Sequence, residues 1–222
     1  MIVAEQKEIT EILESIKGFK KIVIASCGTC VTVCLTGGEK EALGLKGLVL
    51  AGAGKKRLSV SVVNCKRQCD DEFLDDLAED LLAGDVILSM GCGVGVQFLA
   101  EKYPDKLVLP ALNTSFYGAA KELGYLTEYC QGCGNCLLEK TGGVCPVARC
   151  SKSIFNGPCG GSQNGKCEID PGIDCAWQLI YEKLKGFGRL DRLTDIFETR
   201  DWRTSRDGGP RSLRKEDVIV EE

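Results

Sequence analysis

Residues 130–175 read CQGCGNCLLEKTGGVCPVARCSKSIFNGPCGGSQNGKCEIDPGIDC, and this stretch contains eight of the chain's 14 cysteines. Its first seven residues follow the pattern C-x-x-C-x-x-C, which places three thiolates on one tight turn, as ligation of three irons in a 4Fe–4S cluster requires. Pro146 follows the next cysteine, as it often does after the remote ligand of ferredoxin-type sites. Two sets of four thiolates, and hence two 4Fe–4S clusters, are predicted from Cys130, Cys133, Cys136, Cys145, Cys150, Cys159, Cys167 and Cys175.

The sequence leaves the grouping of these eight cysteines open. The three cysteines of the run can take Cys145 as their fourth ligand. They can equally take a later cysteine, in which case Cys145 serves the other cluster. Because glycine pairs such as Gly142-Gly143 and Gly160-Gly161 demand turns, the stretch has little room for regular structure, and we expect it to fold only with its metal.

The high density of cysteines has three other interpretations. A disulfide framework suits small secreted domains, but the start of the chain, MIVAEQKEIT, does not have the basic region and long apolar run of a signal peptide. Structural zinc also accepts four thiolates, although zinc sites usually combine two C-x-x-C pairs. Zinc therefore stays an alternative at one site. Inert buried thiols do not account for so many cysteines in so short a stretch.

Composition excludes several classes of function. The 222 residues carry a net charge of −4 with a pI near 5.2, so nucleic-acid binding is not expected. No apolar run approaches the ~18 residues that a membrane span needs, and we expect a cytoplasmic, reduced protein. The chain has no histidine, which excludes Ser–His and Cys–His catalytic triads and leaves sulfur as the main metal ligand.

Short apolar runs alternate with helical patterns along the first half of the chain. Strands are predicted at residues 20–25, 58–63, 85–90 and 106–110, and helices at 5–17, 39–50, 70–83, 94–102 and 116–123. A β-α-β series implies a parallel sheet with crossover helices. The predicted fold class is thus α/β. A small parallel-sheet domain at 1–125 precedes a cysteine-rich module at 126–186, which metal clusters stabilise, and an extended C-terminal arm at 187–222.

The remaining cysteines lie where the predicted strands end or the following helices begin. The carboxyl edge of an open α/β sheet is where ligands bind, and helix N-termini stabilise thiolates. A third cluster or metal site is therefore expected at this edge, with a redox-active Cys27-x-x-Cys30 pair or scattered core thiols as alternatives. A dinucleotide site after the third strand is disfavoured because the G-x-G-x-x-G pattern fails at Val96. The cysteines concerned are Cys27, Cys30, Cys34, Cys65, Cys69 and Cys92.

Residues 186–222 form a mixed-charge tail without a helical or strand period of useful length. Two interpretations are open. The tail is either a flexible terminus or an arm that wraps a partner subunit, with Trp202 as the anchor.

The segment CPVARCSKSIFNGPCGGSQNGKCEID…CAWQLIYEKLK closely resembles the C-terminal cysteine-rich domain of the methylenetetrahydrofolate reductase family. The N-terminal CGTCVTVCLTGGEKE, the RQC at 67–69 and the GCGVGVQ at 91–97 resemble the other half of the same family. From about residue 20 to 215 the chain is similar to the MetV-type iron–sulfur subunits of acetogenic methylenetetrahydrofolate reductase. The pattern NGPCGG with its flanking cysteines is the most specific part of this resemblance.

The resemblance implies an accessory subunit that transfers electrons beside a flavin-binding MetF-type barrel. That barrel reduces 5,10-methylene- to 5-methyltetrahydrofolate in the Wood–Ljungdahl pathway of anaerobes. The family pattern implies that all eight cysteines of the second module bind metal, together with Cys27, Cys30, Cys34, Cys69 and Cys92, whereas Cys65 is extra. It allows a third cluster in the N-terminal domain and further electron-transfer subunits as partners. A cluster- or zinc-stabilised assembly subunit without electron transfer is the competing interpretation.

Overall fold

A computed structural model describes residues 1–52, 54, 58–213 and 215, so residues 214 and 216–222 of the predicted arm lie outside the described residues. The chain forms two compact units, Met1–Thr127 and Glu128–Glu222. The strands are β1 (Ile2–Gln6), β2 (Lys21–Cys27), β3 (Ser59–Cys65), β4 (Val86–Ser89), β5 (Val108–Pro110), β6 (Leu112–Glu122) and β7 (Tyr125–Cys130). The helices are α1 (Ile9–Ser15), α2 (Cys30–Val33), α3 (Glu39–Gly52), α4 (Ala78–Leu82), α5 (Gly93–Lys102), α6 (Pro146–Arg149) and α7 (Ala176–Gly186).

The predicted parallel sheet is confirmed. Its four strands lie in the order β3-β2-β4-β5, and every neighbouring pair is parallel. Strand β2 reads KIVIASC and is buried from Ile22 onward, as a central strand covered on both faces must be. Alternate residues enter two different cores: Ile22 and Ile24 pack on one face, and Val23 and Ala25 on the other.

A second, three-stranded sheet was not predicted. It has the order β1-β6-β7, and β1 is antiparallel to β6, with Ile2 opposite Tyr117 and Gln6 opposite Leu112. The helix predicted at 116–123 is therefore wrong, because β6 continues to Glu122 and β7 follows it. The helix predicted at 5–17 begins only at Ile9, since the residues before it form β1.

Gly118 is one reason why residues 112–122 form a strand. A Cβ atom at this position would collide with the carbonyl oxygen of Thr127 on β7. The absence of a side chain therefore lets the two strands approach closely. Thr114, Phe116 and Tyr117 also favour a strand by their β-branched or aromatic side chains.

The helix predicted at 70–83 is largely replaced by tighter turns. Residues Asp71–Phe73 and Asp75–Leu77 form single 3₁₀ turns, and only Ala78–Leu82 is α-helical. Aspartate is a poor residue for a helix interior. Here Lys102 on α5 forms ion pairs with Asp71 at 2.6 Å and Asp75 at 2.7 Å, which holds both turns in place.

The second unit contains little regular structure within its described residues. Its buried apolar core consists of Trp177, Ile180 and Leu184 on α7, with Val144 and Ile154 packed against them. The indole N–H of Trp177 donates to the carbonyl oxygen of Ile154 at 3.0 Å, so this tryptophan serves packing.

The described part of the tail folds onto the cysteine-rich module. It contains 3₁₀ turns at Leu190–Thr194, Trp202–Thr204 and Arg206–Gly208. The backbone of Phe197 forms two hydrogen bonds with the side-chain amide of Asn156, at 2.7 and 3.0 Å. Within the described ranges, no helix combines the length and the apolar character needed to cross a membrane.

Candidate metal centres

The first candidate centre lies at the carboxyl edge of the parallel sheet. Cys27 ends β2 and Cys65 ends β3, and the two residues are direct neighbours across the ladder. Cys92 follows β4 and immediately precedes α5. Three neighbouring strands thus bring cysteines to one edge. Burial raises the pKa of the Cys69 thiol, and the charges of Cys92 and Cys27 act in the same direction.

A buried glutamine fixes the loop that carries Cys69. The side-chain amide of Gln68 is fully buried and donates to the carbonyl oxygens of Ala25 at 2.8 Å and Ser26 at 2.9 Å. Its oxygen accepts a hydrogen bond from Ser89 Oγ at 2.6 Å, and Ser89 Oγ in turn accepts one from the backbone of Gly91 at 3.1 Å. Gln68 therefore joins the ends of β2 and β4 to the loop after β3. Sequence reasoning missed it, because an isolated glutamine carries no pattern.

Replacing Gln68 should destabilise the first unit and loosen this edge. In the Gln68→Leu variant, the Ser26 carbonyl and the Ser89 hydroxyl lose their hydrogen bonds to the Gln68 amide, whereas the Ala25 carbonyl keeps the one from the backbone N–H of Met90. We therefore expect the free energy of opening to fall by about 3 kcal/mol. Hydrogen exchange of the β2 amides measures this loss. The matched control is Gln97→Leu, an exposed glutamine with a single hydrogen bond to the Gly93 carbonyl oxygen, which should change stability by less than about 1 kcal/mol. Equal losses in both variants would contradict the role given to Gln68.

The other cysteines of the first unit differ in their surroundings. Cys30 begins α2 and Cys34 follows it. The Cys34 thiol donates to the carbonyl oxygen of Ile2 at 3.5 Å, and burial raises its pKa. Burial also raises the pKa of Cys65 to about 12, with the Cys27 charge acting in the same direction. Cys65 is thus a buried neutral thiol at physiological pH. The Cys34 thiol is thus directed toward β1, whereas Cys27, Cys69 and Cys92 end or follow β2, β3 and β4.

The second candidate centre is a pocket lined by four cysteines of the second unit. Cys150 follows α6, and Cys175 caps the N-terminus of α7. A short pair of extended segments holds Cys167 near Cys175, since the backbone N–H of Cys167 donates to Ile173 and that of Cys175 donates to Gly165. The pocket is lined by Cys150, Cys159, Cys167 and Cys175, with Arg149, Lys152, Ser151, Glu168 and Trp177 among its other residues.

Polar groups around this pocket interact with its sulfur atoms. The Cys167 thiol lies 3.4 Å from Ser151 Oγ, and this hydrogen bond is the largest of several effects that lower its pKa. The Cys159 thiol donates to Glu168 at 3.4 Å, while Glu168 also pairs with Lys152. The surroundings of Cys167 therefore favour the thiolate, which is the form that binds metal.

The third candidate centre is the C-x-x-C-x-x-C turn that follows β7. The Cys130 sulfur accepts a hydrogen bond from the backbone of Gly132 at 3.3 Å, and the Cys133 sulfur accepts one from the Arg200 guanidinium at 2.6 Å. Cys145 caps α6, and its sulfur accepts from the backbone N–H of Ala148 at 3.5 Å. Cys136 is exposed. N–H donors directed at cysteine sulfurs are typical of iron–sulfur ligation.

The donor set of the second unit fits thiolate-bound metal better than other chemistry. Its eight cysteines are free thiols, and the chain offers no histidine as an alternative ligand. Two buried guanidinium nitrogens of Arg200 have no hydrogen-bond partner among the described residues, which suits an anionic group beside them. In the part of the chain that the structure describes, no three or more Cys, Asp or Glu side chains stand at metal-binding geometry. A metal bound by these thiols would therefore have to draw the sulfurs together.

One comparison with known proteins links this region to an enzyme family. Residues 109–203 match the family model described as the methylene-tetrahydrofolate reductase C terminal. The match includes β6, β7 and all eight cysteines of the second unit, and it relates this part of the chain to methylenetetrahydrofolate reductases. Residues 1–108 lie outside it. No curated protein and no solved structure matches the chain.

Proposed function

We propose that this chain is the iron–sulfur subunit of a flavin-dependent methylenetetrahydrofolate reductase and relays electrons to or from the flavin of a MetF-type partner. The observation that carries the proposal is that the family match includes both cysteine groups of the second unit. A protein related to this reductase that carries eight thiols of metal-ligand spacing is suited to supplying electrons to that reaction. Reduction of 5,10-methylene- to 5-methyltetrahydrofolate, as in the Wood–Ljungdahl pathway, consumes two electrons and two protons. Clusters transfer one electron at a time, so a flavin has to collect two electrons before the substrate is reduced.

The pocket supports one grouping of the eight cysteines. Because Cys150, Cys159, Cys167 and Cys175 line the same pocket, we assign them to one 4Fe–4S cluster. The other cluster then takes Cys130, Cys133, Cys136 and Cys145. Arg149 and Lys152 beside the pocket bring positive charge to an anionic cluster.

A third metal site at the sheet edge is part of the proposal. Its ligands come from Cys27, Cys30, Cys34, Cys69 and Cys92, or from four of these. The site is supported by the position of Cys27, Cys69 and Cys92, which end or follow three neighbouring strands of the parallel sheet. Iron or zinc can occupy it, since both accept four thiolates.

A purely structural role of the metal is the second candidate function. The observation in its favour is the small apolar core of the second unit, which consists of three side chains of α7. A module with so small a core depends on its metal for folding whether or not electrons pass through it. In this case zinc or a redox-silent cluster would hold an assembly subunit together.

Metal counting and electron exchange test the proposal together. The full chain, purified or reconstituted without oxygen, should contain iron and sulfide for at least two 4Fe–4S clusters. Dithionite should bleach its broad visible absorbance and produce EPR signals. After mixing with the flavin-binding reductase, the reduced chain should pass electrons to the flavin and co-purify with it.

Two results would contradict the proposal. If every site holds zinc and none holds iron, only the structural role of the metal remains. If a cluster-loaded chain neither binds the reductase nor reduces its flavin, electron relay is refuted. The Cys133→Ser variant is the internal control. It should keep the complex but lose electron transfer through that cluster.

A further inference from the structure

One arginine of the tail lies buried against the C-x-x-C-x-x-C turn. Arg200 is 8% exposed, and its Nη2 donates to Cys133 Sγ at 2.6 Å and to the carbonyl oxygen of Asn135. Its Nε and Nη1 are also buried, and neither has a hydrogen-bond partner among the described residues. An arginine remains charged at any physiological pH, so the tail places a permanent positive charge beside Cys133.

Further hydrogen bonds join the tail to the C-x-x-C-x-x-C turn near this arginine. Thr204 Oγ1 donates to the carbonyl oxygen of Cys133 at 2.8 Å, and Arg211 donates to that of Gly132 at 3.2 Å. Gly134 has a φ of +77°, and a Cβ there would collide with the backbone of Thr204. The close contact between the turn and the tail requires a glycine at position 134. This contact holds Arg200 in a fixed position.

The buried charge of Arg200 has no carboxylate to balance it. Among the described residues, no ion pair includes Arg200. The guanidinium stacks near the Trp202 ring instead, with 5.0 Å from its central carbon to the ring centroid. A buried, unpaired cation is costly, and so are buried N–H groups without an acceptor. Both costs fall when an anionic group is bound by Cys133 next to Nε and Nη1.

We infer that Arg200 is a positioning residue that raises the reduction potential of the group bound through Cys133. The inference rests on the proposed function, because it takes that group to be a cluster. A one-electron reduction adds one negative charge and neither forms nor breaks a bond. The electron comes from the partner's flavin or, in the test, from dithionite. A fixed cation and its N–H donors stabilise the more negative state, and charge and hydrogen bonds to sulfur are known determinants of cluster potentials.

The test is an anaerobic EPR redox titration of the full chain with its clusters loaded. In Arg200→Gln, one of the two cluster signals should need a lower potential, with the reduced-to-oxidised ratio at fixed potential falling roughly tenfold, or about 59 mV for a one-electron couple. The other signal should not move. Arg200→Lys keeps the charge and should recover most of the shift. The matched control is Arg203→Gln, whose arginine lies in the same tail with its side chain 87% exposed and paired with Asp201.

Iron content separates this inference from the proposed function. If wild type and Arg200→Gln hold the same clusters at the same potentials, the role of Arg200 is refuted and the proposed function stands. If Arg200→Gln loses one cluster that Arg200→Lys retains, the positive charge serves cluster binding and not the potential, which overturns the inference. Loss of that cluster in both variants assigns Arg200 to packing alone and overturns it. Wild type without iron refutes the proposed function and this inference with it.

Discussion

Removing the metal should unfold the second unit while the first unit stays folded. The first unit has two apolar cores, one on each face of its parallel sheet. The second has one small apolar cluster, formed by three side chains of α7, with Val147 and Ala176 as further buried apolar residues. A large apolar side chain contributes about 1.5–3 kcal/mol when fully buried, and so few of them cannot offset the entropy lost in ordering a unit of this length. Under the proposed function, metal sites supply the difference, since a structural site can contribute about 10–16 kcal/mol.

Hydrogen exchange with and without metal measures this difference in a single sample. After anaerobic removal of iron and zinc, the amides of α7 should exchange at the rate of an unfolded peptide, whereas those of β2 and β4 should keep their protection. Adding iron and sulfide back should restore the α7 amides. Continued protection of α7 in a sample shown to be free of metal would mean that the module folds through its own contacts. The dependence on metal would then be wrong.

Serine substitutions in the two cysteine groups should remove different clusters. Serine at Cys159 or Cys167 should abolish one EPR signal and about half of the iron in the second unit, because both thiols belong to the pocket group. Serine at Cys136 or Cys145 should abolish the other signal. Combining one substitution from each group should remove all iron from this unit.

The pattern of losses decides between the two groupings that the sequence leaves open. If serine at Cys145 abolishes the same signal as serine at Cys167, then Cys145 belongs to the pocket cluster and the grouping is wrong. Cys65→Ser is the control, since Cys65 is a buried thiol outside the proposed ligand set. It should leave the iron content of the second unit unchanged.

The parallel sheet could be predicted because its strands are short apolar runs, three of which end in or are soon followed by a cysteine. Burial on both faces produces such runs in the sequence itself. The antiparallel sheet could not be predicted in the same way, because β1 and β6 are more than 100 residues apart and stabilise each other. Neither strand has a clear period of its own. The helical pattern at 116–123 was a local preference that tertiary pairing overrode.

The candidate ligands could be predicted, whereas their surroundings could not. Cysteine spacing and the ends of predicted strands indicated which thiols to consider. The groups that orient them come from elsewhere: Gln68 joins strands from both sides of its loop, and Arg200 reaches Cys133 from 67 residues away. Such contacts depend on the folded path of the chain. An isolated glutamine or arginine in the sequence gives no sign of them.

The pairing of β1 with β6 also constrains the order in which the first unit forms during translation. Ile2 cannot pair with Tyr117, nor Gln6 with Leu112, until the ribosome has synthesised the partner residue. At roughly 5–20 residues per second, this delay lasts about 5–20 s. Meanwhile Val3 and Ala4, which are buried in the finished unit, belong to an unpaired strand outside the ribosome. Unpaired apolar strands are prone to associate with other chains. Of the strands in this unit, β1 is synthesised first but is among the last that can be fixed in place.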